Sequence, residues 1–327
     1  MAKVLIIGAG SFGTSMAVLL AGTGAQVTLF ARRPELAYEL ALKRENATFL
    51  PGVKLSDQIK PVANLDDLSH VDWCFCAVPT RYIREQFARL HGKYPAELPL
   101  VSLSKGIEQD SLQFPTPLLA ELTGARHLLT LAGPSHAEEV AHGLPTVLVS
   151  AGDETRAQAL AELCSTPSLR VYYSTDLIGV ELAGAAKNVV AIAAGIVDGL
   201  KLGDNAKAAL LARGLAEITR LGVAMGAEMR TFYGVSGLGD LYTTCASKYG
   251  RNRAFGERIG RGERPDAILE GMDMVVEGHN TARALRALAT RHNVEMPICE
   301  EVSRILYDNA EPKQAVKRLM TRTLKAE

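Results

Sequence analysis

Apolar positions follow two regimes along the chain. Up to about residue 175, short β-branched runs recur at Val4–Ile7, Val27–Phe30, Trp73–Ala77, Leu100–Leu103, Leu128–Leu131 and Thr146–Ser150, with helical segments between them. That alternation predicts a mostly parallel sheet wrapped by helices, the α/β class. Val71–Pro79 reads as a fully buried strand stopped by Pro79, which puts the following loop at the carboxyl edge of the sheet, where ligands collect. After Asp176 the period changes: Leu177–Leu200 and Ala206–Met225 carry apolar residues at helical spacing. Asn293–Pro297 breaks the last helical region, and Pro312 suits the first turn of a final short helix.

The first apolar run feeds directly into Gly8-Ala9-Gly10-Ser11-Phe12-Gly13 and then a helical stretch to Leu20. In that order Gly8 permits the strand-to-helix turn, Gly10 lets backbone N–H groups approach a pyrophosphate, and Gly13 lets the helix lie close to the sheet. The phosphates would rest on the positive end of the helix. Two domains are expected: a Rossmann-like dinucleotide-binding domain over residues 1–176 and an all-helical substrate and catalytic domain over 177–327. The second strand ends not on an acidic residue but on Ala31-Arg32-Arg33. Guanidinium groups suit an adenosine 2′-phosphate better than a ribose diol, which favours NADPH. The alternative is that one arginine stacks on adenine and the other is a surface charge, leaving NADH acceptable. On the first reading Arg32→Ala weakens NADPH more than NADH.

Composition narrows the remaining classes. Lys plus Arg equals Asp plus Glu at 36 each, so no whole-chain electrostatic argument exists for nucleic acid or an anionic membrane. No run of about 18 consecutive apolar residues stands out, so no membrane insertion and a cytoplasmic location are expected. The five cysteines, Cys74, Cys76, Cys164, Cys245 and Cys299, are scattered, match no common zinc spacing and read as reduced structural residues. No metal is expected.

Three segments of the second half carry chemistry. Lys187 stands in an otherwise apolar, small-residue run, Val180–Val190, where a lysine either snorkels to the surface or is held in a site. Gly234–Cys245 is a glycine-rich loop leading to Asp240, a carboxylate that either serves a site or caps a helix. Gly250-Arg251-Asn252-Arg253 is a basic, amide-bearing cluster suited to a phosphate monoester or, more blandly, a solvated turn.

With Gly8–Thr14, Phe49–Gly52, Ser104–Glu108, Gly133-Pro134-Ser135 and Asp204–Ala209, these segments resemble the glycerol-3-phosphate dehydrogenase family over nearly the whole chain. The resemblance implies reduction of dihydroxyacetone phosphate to sn-glycerol 3-phosphate by NADPH or NADH, for glycerophospholipid synthesis, in a homodimer. It assigns Lys187 as proton donor and acceptor. It gives substrate contacts to Lys105, Gly133, Ser135, Asp240, Arg251 and Asn252, with the backbone N–H of Gly250 standing where bacterial members usually have serine. Ser11, Phe12, Arg32, Ala137, Val275 and Glu277 would contact the cofactor, with Phe49 in a loop near it; Lys105 and Arg251 would serve both ligands. His136 stands where Phe or Tyr is common and receives no role.

The residue types are consistent with that chemistry. Hydride attack at a carbonyl builds charge on oxygen, which an ammonium both stabilises and protonates. Asp240 is expected to orient Lys187, and Arg251 with Asn252 to grip the phosphate and align C2. A β-hydroxyacid dehydrogenase, suggested by the Gly184-to-Lys187 spacing, and a non-catalytic NADPH-binding sensor are the competing readings.

Overall fold

The computed structural model describes residues 1–324 apart from 66, 248, 273 and 274, and within these the chain forms two compact units. The first comprises Met1–Lys105 and Gln113–Glu181; the second comprises Gly106–Leu112 and the chain from Leu182 onward.

The first unit is built on strands β1 (Lys3–Ile7), β2 (Gln26–Phe30), β5 (Ile59–Val62), β6 (Trp73–Cys76), β7 (Leu100–Ser102), β8 (Leu128–Ala132), β9 (Thr146–Ala151) and β10 (Leu169–Ser174). They form one sheet in the order β10-β9-β8-β7-β6-β1-β2-β5. Every pairing is parallel except β8 with β9. A two-stranded antiparallel ribbon, β3 (Glu45–Asn46) with β4 (Leu50–Lys54), stands apart. Helices α1 (Ser11–Gly22), α2 (Pro34–Lys43), α3 (Ile83–Phe87), α4 (Pro115–Thr123), α5 (Ala137–Ala141) and α6 (Glu154–Cys164) follow successive strands. Alternate residues of the central strand serve opposite faces. Val4 and Ile6 join Met16, Leu20, Val27, Leu29 and Phe75 in one core, while Leu5 and Ile7 join Cys74, Cys76, Phe87 and Leu100 in the other. Burial on both faces explains why these strands read as continuous apolar runs.

The sequence pattern located six of these strands and missed β3, β4, β5 and β10. β5 contains Pro61, which cannot donate to a ladder and is tolerated because β5 is an edge strand. β10 buries Leu169 and Val171 but leaves Arg170, Tyr172 and Tyr173 exposed, so it lacks the uniform apolar run of the central strands.

The second unit is helical: α7 (Leu177–Gly199), α8 (Asp204–Ala224), α9 (Met229–Tyr233), α10 (Asp240–Ala246), α11 (Arg251–Gly260), α12 (Pro265–Glu270), α13 (Glu277–Arg291), α14 (Pro297–Tyr307) and α15 (Pro312–Met320). The first turn of α7, through Glu181, groups with the first unit. Asp176 starts this helix by accepting the N–H of Gly179 at 2.9 Å. By length and composition α7 is apolar enough to cross a membrane, although the sequence holds no run of about 18 consecutive apolar residues there. Isolated polar residues such as Lys187 and Asn188 interrupt the run without ending the helix, and its most apolar stretch is wholly buried in the protein.

Glycines set the spacing between α7 and α11. A Cβ on Gly195 would lie 1.9 Å from the Arg253 carbonyl oxygen, and one on Gly256 would lie 2.0 Å from that of Ile192. One turn further on, Gly199 and Gly260 meet in the same way. The two Gly-x-x-x-Gly faces therefore bring the backbones themselves into contact.

Buried carboxylates take the place of ordinary caps at two helix starts. Glu181 accepts the N–H and hydroxyl of Thr116 at α4, and Glu217 accepts the N–H groups of Ile298 (2.8 Å) and Cys299 (3.3 Å) at α14. Burial pushes both up to about 7 from 4.5, against the lowering effect of those hydrogen bonds. A carboxyl raised in the folded state holds its proton where the unfolded chain has lost it. Stability from this source is therefore present below pH 4.5, falls as pH rises to about 7 and is level above, by roughly 3 kcal/mol per group. Urea midpoints compared at pH 5 and pH 7.5 are expected to fall less in Glu217→Gln than in the wild type; an equal fall would remove this assignment.

Candidate active site

The glycine loop sits at the end of β1, where the sheet order switches from β2 on one side to β6 on the other. Gly8 has φ of +119°, and a Cβ there would lie 2.7 Å from the Ala77 carbonyl; a Cβ on Gly13 would lie 2.0 Å from the Gly8 carbonyl. These two glycines are required for the turn and for seating α1 against β6. Gly10 differs: among the described residues nothing lies within 4 Å of where its Cβ would be. That open face lies before the first turn of α1, whose sequence Ser11-Phe12-Gly13-Thr14 holds no acidic side chain, and whose N–H groups lack intrahelical acceptors. The cradle fits a dinucleotide pyrophosphate.

Around this loop, buried Asn46 donates to the Ala9 carbonyl at 3.0 Å and to Thr14 Oγ1 at 2.7 Å, and its Oδ1 accepts the N–H of Phe49. Asn46 thus anchors the β3–β4 ribbon to the cofactor loop. Arg33 lies over the Phe49 ring at 5.9 Å. Arg32 is paired with Glu85 at 3.0 Å, an acidic partner that the end of β2 gave no sign of. Lys105 donates to the Gly133 carbonyl at 2.8 Å, and the Ser135 hydroxyl donates to the same oxygen at 3.0 Å. Gly133, at φ of +139°, is confined by the Val147 carbonyl, so the three substrate residues expected in the first domain form one cluster. Ala137 opens α5 directly after His136.

In the second unit Lys187 is buried, 6% exposed, and its amine donates to Asp240 Oδ1 at 2.5 Å and to Thr244 Oγ1 at 2.7 Å. Burial decides between the two readings of this lysine: it does not snorkel. Asp240 is the first residue of α10 and its carboxylate is committed to Lys187, so it is not merely a cap. The residues before it, Val235–Gly239, form a π-type turn that needs Gly237, since a Cβ there would lie 2.2 Å from the Phe232 carbonyl.

Gly250 is the N-cap of α11 and Arg251 its first residue. Arg251 is exposed and donates to the Val275 carbonyl at 3.3 Å, two residues before Glu277 opens α13. Asn252 is buried: it donates to Asn188 Oδ1 at 2.9 Å and accepts the N–H of Gly278 at 2.9 Å. Arg253 departs from the expected basic cluster, because it is held by Asp198 at 3.2 Å and Glu257 at 3.0 Å.

Thr244, Asn188 and Asn46 were not singled out from the sequence. Thr244 lies four residues after Asp240, on the same helix face, which is the one signal that could have found it. Asn46 left none, since its partners are distant in the chain.

A glycine cradle at the switch point of a mostly parallel sheet is the cofactor half of a nicotinamide-dependent dehydrogenase. Family models for the NAD-dependent glycerol-3-phosphate dehydrogenase N-terminus and C-terminus match residues 3–158 and 176–317. The chain belongs to this family. It is 46% identical to glycerol-3-phosphate dehydrogenase (NAD(P)+) 1 of Salinibacter ruber, covering 100% of this chain and 97% of that one. It is also 46% identical to the glycerol-3-phosphate dehydrogenase (NAD(P)+) of Citrifermentans bemidjiense, covering 99% and 98%. The crystal structure of glycerol-3-phosphate dehydrogenase from Coxiella burnetii superposes with a TM-score of 0.93 at 35% identity, covering 98% of this chain and 99% of that one.

Proposed function

We propose that this chain reduces dihydroxyacetone phosphate to sn-glycerol 3-phosphate with NADPH or NADH, Lys187 giving and taking the proton. The observation that carries the reading is the buried Lys187 amine held by Asp240 and Thr244. When bound, the nicotinamide supplies the hydride to C2. Lys187 Nζ delivers a proton to the developing alkoxide and takes it back in the reverse direction. Asp240 fixes the direction of the ammonium, and Thr244, which also donates to the Asp240 carbonyl, is the second positioning contact. Arg251 and Asn252 bind the phosphate, with Lys105, Gly133 and Ser135 as further substrate contacts, whereas the Gly250 N–H is already given to the Ser247 carbonyl at 3.3 Å.

The cofactor half of the reading rests on Gly8, Gly10, Ser11, Phe12 and Gly13, with Arg32, Arg33, Phe49, Ala137, Val275 and Glu277 proposed as further cofactor contacts. A β-hydroxyacid dehydrogenase is supported less: the similar structure of a D-mandelate dehydrogenase, whose hydroxyl is on the α carbon, is at 14% identity and TM-score 0.63 a likeness of fold alone. A homodimer in the cytoplasm completes the proposal, the latter supported by five free cysteines, all buried.

The test is absorbance at 340 nm with NADPH and then NADH. Dihydroxyacetone phosphate is expected to oxidise both, and dihydroxyacetone without the phosphate to react at least about 100-fold less efficiently, since the phosphate contacts align C2. Equal rates for the two ketones would overturn the Arg251 and Asn252 assignments; no oxidation at all would overturn the activity.

A further inference from the structure

We propose that Glu85 is a specificity-determining residue: it sets the balance between NADPH and NADH by holding Arg32. The proposal rests on the cofactor reading of the Gly8–Gly13 loop and goes beyond it. Arg32 follows β2, and its Nη1 donates to Glu85 Oε1 at 3.0 Å; the two side chains are 54% and 56% exposed. Glu85 belongs to α3, which follows β6, the strand on the other side of β1. The same Oε1 accepts Gln86 Nε2 at 3.1 Å, and Arg32 lies 6.0 Å from the Tyr82 ring centroid. Arg81 lies over that same ring at 4.5 Å and donates to the Tyr82 hydroxyl.

The arrangement is a cationic ledge with one built-in anion. A guanidinium at the end of the second strand can grip a 2′-phosphate, but here its Nη1 is already given to a carboxylate, which competes with the phosphate for that donor. The carboxylate, for its part, is an acceptor only, which is what a ribose 2′-hydroxyl needs. Glu85 thereby provides from α3 the acidic group that β2 lacks. Arg32 alone favours the phosphorylated nucleotide; the pair tempers that preference and makes the unphosphorylated one acceptable.

The experiment is calorimetric titration of the full chain with NADP+ and NAD+, for wild type, Glu85→Gln, Arg32→Ala and the double variant. An exposed ion pair is a small opponent, so Glu85→Gln is expected to tighten NADP+ about fivefold, or about 1 kcal/mol, and to weaken NAD+ about twofold. In the Arg32→Ala background, the same substitution should change NADP+ affinity less than twofold. An NADP+ to NAD+ affinity ratio unmoved by Glu85→Gln overturns the proposal. Equal tightening in both backgrounds overturns it as well, since the carboxylate would then act without Arg32. Failure of the wild type to bind either nucleotide would instead overturn the cofactor reading. The pair is exposed, so the variants are expected to melt within a few degrees of wild type.

Discussion

Lys187→Ala is expected to lose at least about 100-fold in turnover, the lower end of what a positioned general acid contributes. The same change has a second consequence. Asp240 is 1% exposed, and removing its ammonium partner leaves a buried carboxylate facing a cavity, at a cost of about 3–5 kcal/mol. Loss of activity alone would therefore not distinguish chemistry from unfolding. Lys187→Ala with Asp240→Ala removes both charges and should recover much of the stability while recovering none of the turnover. Small alkylammonium ions, which can occupy the space vacated by the side chain, should partly rescue the Lys187→Ala variant and leave the double variant unchanged. Turnover near wild type in Lys187→Ala would refute the proton-transfer role outright.

Gly195→Ala is expected to destabilise the helical unit by at least roughly 3 kcal/mol, although helix propensity alone would favour alanine by about 1 kcal/mol. Geometry decides which effect wins. The new methyl would meet the Arg253 carbonyl at 1.9 Å and the Glu257 nitrogen at 2.7 Å, both backbone atoms that cannot rotate away. Relief requires α7 and α11 to separate, and Arg251 and Asn252 stand on the first turn of α11 while Lys187 stands on α7. The KM for dihydroxyacetone phosphate should accordingly rise. Gly22→Ala is the control, since nothing lies within 4 Å of that Cβ among the described residues; it should be neutral or slightly stabilising in thermal melts. Equal melting temperatures for the two variants would show that α7 and α11 are not in backbone contact.

Legibility in the sequence tracks how local the physics is. The Gly8–Gly13 loop was readable because strand, turn and helix are consecutive and each glycine has its own steric reason. The long helices α7 and α8 were readable from period, and the proline start of α15 from the fixed φ of that residue, whereas Pro297, read only as a break, opens α14. Lys187 and Asp240 were visible as anomalies, a cation among small apolar residues and an acid after a glycine run, yet their pairing spans 53 positions. No periodicity reports such a distance. Arg32 and Arg33 read as a pair of cations because the strand-end position is local, whereas Glu85, the partner of Arg32, arrives from another βα unit.

By itself, the amino-acid sequence determined the order of the uniformly apolar strands and the long helices, the dinucleotide turn, the change from sheet to helix after Asp176 and the inventory of chemical groups, because these depend on steric and periodic rules within a few residues. Tertiary structure decided which groups meet and which are already spoken for. It gave Lys187 to Asp240 and Thr244, Arg253 to Asp198, Asn252 to Asn188 and Gly278, and Arg32 to Glu85. Hydrogen bonds and ion pairs act over about 3 Å in space, and the folded chain alone determines which residues come that close.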